Sequence, residues 1–103
     1  MTFKLIYTNS YIKRASKFAK RHPELLSQYE KTLKILEYDP NHQSLRLHPL
    51  KGKLKDLYSV SINISYRITL EFFVTEKEII LVNVGHHNEV YYSLFHMTSF
   101  CIK

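Results

Sequence analysis

The sequence predicts an α+β domain of order β-α-α-β-β-β, with a helical hairpin packed on one face of a small, mostly antiparallel sheet. Three observations predict it. Residues 58–72 alternate strictly between apolar and polar side chains. Residues 11–36 carry two apolar stripes at helical spacing with almost no connector. Residues 78–84 form a short run that is apolar on both faces, as a central strand requires.

The elements follow in order along the chain. Phe3 to Thr8 reads as a short strand of aromatic and branched residues. Asn9 and Ser10 are good caps for a first helix, whose apolar stripe is Tyr11, Ile12, Ala15, Phe18 and Ala19. Pro23 ends that helix and can open the next at its first turn. Leu25, Leu26, Tyr29, Leu33 and Leu36 make the second stripe, and Asp39-Pro40-Asn41 stops it.

In residues 58–72 the even positions are Val60, Ile62, Ile64, Tyr66, Ile68, Leu70 and Phe72, and the odd ones are polar. The run is too long for one ordinary strand, so a turn is placed near Asn63 to Ser65. Directly opposed residues share a face, so the loop must have an odd number of residues. A three-residue loop with Ile62 opposite Tyr66 is the simplest solution; a two-residue loop would turn one strand inside out. Arg67 then lies on the polar face, away from the helices. Glu78 to Val84 makes the last strand, ending in Gly85-His86-His87-Asn88-Glu89-Val90-Tyr91. The sequence contains no repeat and no low-complexity tract.

Composition narrows the function. The 103 residues make one domain, and a hydrophobic share of 45% with eight Tyr and six Phe is that of a packed globule. One cysteine, Cys101, makes no internal disulfide, which suits a reducing, cytoplasmic setting. No apolar run is long enough to span a membrane, and Phe3 to Tyr7, interrupted by Lys4, is too short for a signal-peptide core.

The formal charge of +6 points to an anionic partner. That charge is segmental. Residues 1–21 carry Lys4, Lys13, Arg14, Lys17, Lys20 and Arg21 with no acid, and residues 46–67 carry Arg46, Lys51, Lys53, Lys55 and Arg67 against Asp56 alone. The two segments between and after them are acidic. Clusters of this kind suit neighbouring phosphates, although the first also reads as the solvated face of a helix.

Several residues of the second segment and the chain beyond it can carry chemistry. If residues 46–55 are extended, Lys51, Lys53 and Lys55 point one way about 6.6 Å apart, close to the phosphate spacing of a stretched single strand. Solvated loop lysines are the plain alternative. Arg67, set among Ser, Asn and Thr, can clamp a phosphate or pair with Glu71. His86 and His87 follow the last strand, and histidine is the side chain best suited to proton transfer near neutral pH. By alternation from Arg67, His87 is the one that looks into the polar groove. No set of His, Cys, Asp and Glu has zinc spacing, and two glycines cannot make a phosphate-cradling loop, so no metal and no cofactor is expected.

His48-Pro49-Leu50-Lys51-Gly52, Tyr66-Arg67-Ile68 and Gly85-His86-His87-Asn88-Glu89-Val90-Tyr91 together resemble the RelE/ParE superfamily, most of all the YafQ-like branch of toxins from type II toxin–antitoxin systems. The resemblance covers residues 1–91, leaving 92–103 as a C-terminal extension. It implies a cytoplasmic mRNA endonuclease that cuts in the ribosomal A site, inhibits translation, needs no metal and is silenced by a cognate antitoxin protein. It also implies roles for single residues. His87 is the general acid to the leaving 5′-oxygen, and His48 is a second active-site histidine, acting as base or orienting the ribose. Arg67 stabilises charge on the phosphate, and Tyr91 positions the substrate. Lys51 and Lys53 match the basic loop and, with Lys55 and Arg46 from the same basic segment, hold the RNA backbone. mRNA and ribosomal RNA are then the nucleic-acid partners, and no membrane is one. An acidic helper that the branch often carries ahead of the tyrosine is absent, since Ser65 precedes Tyr66. Two other functions remain open on the same fold: a gyrase inhibitor and a non-catalytic, antitoxin-binding member.

Overall fold

The computed structural model describes residues 2–50 and 57–86. Five strands and two α-helices follow in the order β1 (Lys4–Tyr7), α1 (Asn9–Arg21), α2 (Leu26–Tyr38), β2 (His48–Pro49), β3 (Tyr58–Ser61), β4 (Tyr66–Phe73) and β5 (Glu78–His86). Single 3₁₀ turns at Pro23–Leu25 and Gln43–Leu45 precede α2 and β2. The strands form one sheet in the order β1-β5-β4-β3-β2, in which β1 runs parallel to β5 and every other pair is antiparallel. The predicted class holds, with one strand added: β2 lies where the sequence suggested only a connecting segment. Two residues, one of them proline, carry too little pattern to announce a strand.

Local chemistry sets the helix ends. Thr8, rather than Asn9 or Ser10, caps α1: its Oγ1 accepts from the Tyr11 backbone N–H at 3.2 Å and donates to the Leu81 carbonyl at 3.1 Å. That second bond ties the start of α1 to β5, and the tertiary contact decides among three adjacent residues of similar capping ability. Pro23 opens the turn before α2, where its missing N–H costs nothing. The Asp39 N–H closes α2 on the Ile35 carbonyl at 2.7 Å.

The core lies between the helices and the sheet. Tyr11 and Phe18 of α1 and Leu36 of α2 pack with Leu45, Val60, Ile68, Leu70, Ile79, Leu81 and Val84. The even positions of β3 and β4 face this core, as alternation predicts. The turn between them is the three-residue loop 63–65, and the Ile62 N–H donates to the Tyr66 carbonyl at 2.9 Å. Ile64, an even residue counted with the apolar face, sits in that loop and is 84% exposed.

In β5 the simple parity fails. Leu70 pairs with Leu81 but Thr69 with Asn83, so Val82 is an extra residue, a β-bulge. Before it the odd residues Ile79 and Leu81 face the core; after it Val84 and His86 do. Asn83 and Gly85 thereby join the face of Thr69 and Arg67, their partners across the ladder. The bulge brings the end of β5 into phase with the polar face of β4.

Candidate active site on the outer face of the sheet

Two cross-strand rows define the outer face. One runs His48–Ser59–Thr69–Asn83 across β2, β3, β4 and β5; the next runs Ser61–Arg67–Gly85. Directly opposed residues share a face, so His48 and Arg67 project from the same side of the sheet. Two strand spacings and two residues of rise put their backbones about 12 Å apart. Two long side chains can close that separation around one phosphodiester.

Arg67 is half-buried and anchored. Its Nη1 donates to Ser61 Oγ at 2.5 Å and to the Asn63 carbonyl at 3.2 Å. One bond crosses to the residue directly opposite in β3 and the other reaches the β3–β4 turn. Among the described residues its bonds use Nη1 alone, leaving Nη2 and Nε to present to an anion. The turn itself is fixed by Asn63, whose Oδ1 accepts from the Ser65 and Tyr66 N–H groups at 2.9 and 3.0 Å. Asn63 Nδ2 donates to Gln28 Oε1 of α2 at 3.2 Å. The anchor of Arg67 is thus braced against a helix.

His48 is exposed, and its Nδ1 lies 2.9 Å from the Arg46 carbonyl. A carbonyl only accepts, so Nδ1 carries the proton and the lone pair of the neutral ring is on Nε2. The bond also fixes the ring's orientation. Arg46 itself is exposed and has φ 50°, the left-handed region that a non-glycine residue enters at a cost of about 1–2 kcal/mol. This backbone reversal ends the 3₁₀ turn and points the chain into β2. His42 shows the opposite tautomer: its Nδ1 accepts from the Ser44 N–H at 3.1 Å.

The outer face is less wetted than strict alternation predicts. Ser59 and Thr69 are fully buried, and Ser59 Oγ and Thr69 Oγ1 have no hydrogen-bond partner among the described residues. Asn83 is buried too, its Oδ1 accepting from the Val84 N–H at 2.8 Å.

His86 does not belong to this face. Its ring meets Tyr66 edge-on at 5.5 Å on the helix side, and Tyr66 in turn contacts His22 at 4.8 Å.

Of the residues expected to act, His48 and Arg67 are brought to one side of the sheet, and Arg46 lies beside Ser61 and Asn63. His87, Tyr91, Lys51, Lys53 and Lys55 lie outside the described residues. Sequence reasoning missed Ser61 and Asn63, the partners of Arg67. Their only signal was their place among the small polar residues before the hairpin turn.

Clefts between the described residues flank the sheet. One of about 190 Å³ lies beside Arg67, lined by Ser44, Arg46, Ser61, Ile62, Asn63 and Ile64. A wider groove of about 730 Å³ lies between β1 and α2, and includes the half-buried Leu5 and the exposed Tyr7 of β1. The smaller cleft is the one that adjoins the candidate chemistry. Among the described residues no group of three or more His, Cys, Asp or Glu could hold a metal, and no helix is long and apolar enough to cross a membrane.

No protein-family model matches the sequence, and no curated protein matches it either. Solved structures do. YafQ from Escherichia coli superposes with a TM-score of 0.71 at 13% identity, over 86% of this chain and 98% of that one. A chain of the Escherichia coli DinJ–YafQ toxin–antitoxin complex gives 0.70 at 15% identity, over 88% and 99%. A YoeB/ParE toxin from Agrobacterium tumefaciens gives 0.66 at 17%, over 82% and 99%. At these identities the likeness is one of fold. Two helices on a five-stranded, mostly antiparallel sheet are the RelE-like arrangement.

Proposed function

We propose, from a RelE-like fold with His48 and Arg67 on one face of its sheet, that this protein is the toxin of a type II toxin–antitoxin pair and cleaves mRNA in the ribosomal A site. The observation that carries the reading is the paired anchoring of these two side chains. His48 is held on the Arg46 carbonyl through Nδ1, and Arg67 is held on Ser61 and Asn63 through Nη1 alone among the described residues.

The chemistry follows from those groups and His87. The ribose 2′-OH gives its proton to His48 Nε2 as O2′ bonds to the adjacent phosphorus. The P–O5′ bond breaks, and the 5′-oxygen takes a proton from His87. The products are a 2′,3′-cyclic phosphate and a free 5′-OH; the protein is left with the proton moved from one histidine to the other, and solvent restores it. Arg67 supports the extra charge on the non-bridging phosphate oxygens, an effect worth about 10²–10³-fold in rate for a single donor. In this reading Tyr91 positions the substrate, Lys51, Lys53 and Lys55 hold the backbone, Arg46 binds the RNA beside them, and no metal takes part. Residues 1–91 form the toxin domain and 92–103 an extension. A cognate antitoxin is the protein partner, and ribosomal RNA meets the basic residues of α1.

Induced expression of the wild type, His87→Ala and Arg67→Ala, with 5′-end mapping of cellular mRNA, tests the proposal. In-frame cuts at translated codons are expected in the wild type and in neither variant. Growth arrest with intact mRNA and an induced DNA-damage response would replace it with gyrase inhibition. Antitoxin binding with neither effect would leave a non-catalytic protein.

A further inference from the structure

The walls of the small cleft beside Arg67 include the hydrogen-bond partners of the two residues that matter most for the proposed chemistry. Ser61 lines the cleft and accepts from Arg67; Asn63 lines it and offers Arg67 its carbonyl. Arg46 lines it from the other side, and its own carbonyl holds His48. The cleft therefore lies one hydrogen bond from each of the two groups that would flank a scissile phosphate.

Its two walls differ in kind. The β3–β4 turn contributes Ile64, 84% exposed, and the end of the 3₁₀ turn contributes the exposed, cationic residue Arg46. Both are held where ordinary preferences would not put them. Ile64 stands out from a turn locked by the hydrogen bonds of Asn63 and braced on Gln28. Arg46 stands at a left-handed backbone position that glycine or asparagine fills more cheaply. Ser44, Ser61 and Asn63 supply polar groups between them.

A volume of about 190 Å³ falls below the roughly 300–1,000 Å³ of pockets that take a whole drug-sized ligand. It suits one planar group. An apolar face, a guanidinium plane and a few hydrogen-bonding groups are what an unpaired nucleobase needs, because bases stack on both kinds of surface and are read at their edges.

We propose that this cleft takes one unpaired base of the RNA strand next to the scissile phosphate, stacked between Ile64 and Arg46, and so sets the base preference of cleavage. The inference rests on the reading of the protein as a ribonuclease, and its test separates the two. The binding arm titrates the full chain with a short single-stranded RNA bearing 2′-O-methyl groups, which removes the nucleophile and prevents cleavage. Amide shifts at Ser44 and Ile64 are expected with the single strand and not with the same sequence as a duplex. Ile64→Ser should weaken binding about tenfold, and Ile64→Trp, with a larger stacking surface, should tighten it. The cleavage arm compares base frequencies beside mapped cuts. Ile64→Ser should flatten the bias at one flanking position while cutting continues.

Shifts that bypass Ser44 and Ile64, or an unchanged base bias in Ile64→Ser, would overturn the subsite. Binding at the cleft by a wild type that makes no cuts would uphold the subsite and overturn the nuclease.

Discussion

Ser61 and Arg67 face each other across the β3–β4 ladder, and Arg67 Nη1 donates to Ser61 Oγ over 2.5 Å. A long, flexible cation is thereby fixed by its own strand neighbour beside a hairpin turn. The bond specifies orientation, since a guanidinium anchored through one nitrogen presents its others along a set direction. Lysine cannot do this. Arg67→Lys should retain the fold and the positive charge but lose about 10²–10³-fold in RNA cleavage, measured as single-turnover rate on ribosome-bound mRNA. Retention of activity would show that Arg67 acts only as a charge.

Asn63 is the keystone of the turn that supplies the second acceptor for Arg67. Asn63→Ala removes two side-chain bonds to backbone N–H groups and the link to Gln28. Stability should fall by about 1–2 kcal/mol in urea unfolding, the range for a few partly exposed hydrogen bonds. Cleavage should fall further than stability explains, because the Arg67 anchor loosens.

How much of this was legible in the sequence differs by residue. The parity of Val60, Ile68 and Leu70 placed Arg67 on the outer face and required a three-residue loop, because alternation follows from backbone geometry wherever a strand carries no bulge, as β4 does not between Tyr66 and Thr69. The Thr8 cap was not legible, since the Leu81 carbonyl that favours it comes from a distant strand. β2 was hidden for a similar reason: His48 and Pro49 are strand only because Ser59 and Tyr58 lie opposite them. His48 and Arg67 entered as candidates from motif resemblance and residue type. Their anchors Ser61 and Asn63 did not, because a small polar residue looks the same in sequence whether it meets water or a guanidinium.

Tyr11 and Tyr29 give the protein a pH signature distinct from its activity. Their hydroxyls meet at 2.5 Å, and burial, above all, pushes both phenols above the ordinary value of 10.0. As pH passes that value the unfolded chain releases protons that the folded chain keeps. The stability held below it is therefore lost progressively as pH climbs. Urea unfolding across an alkaline series should show this decline, and Tyr11→Phe should flatten it. The same variant should cost about 1 kcal/mol at neutral pH, where only the hydroxyl bond is lost.

Val82 is the extra residue in β5, and its removal makes a clean test of the register. Without it Leu70 still meets Leu81 and Thr69 still meets Asn83, in an uninterrupted ladder. A chain lacking Val82 should fold, with Gly85 still opposite Arg67 by cross-strand nuclear Overhauser contacts. It should lose about 1–3 kcal/mol with the half-buried side chain. An unfolded product would show that the bend at the bulge, rather than the pairing, holds β5 in place.

The same bulge bears on how the pattern of β5 is read. Leu81 and Val84, three residues apart, both face the core, a spacing that on its own belongs to a helix. The pairing with β4 accounts for that spacing, by offering Leu70 to one residue and Ile68 to the other. The bulge is therefore what lets a strand with two core residues three apart still set Gly85 opposite Arg67 on the outer face.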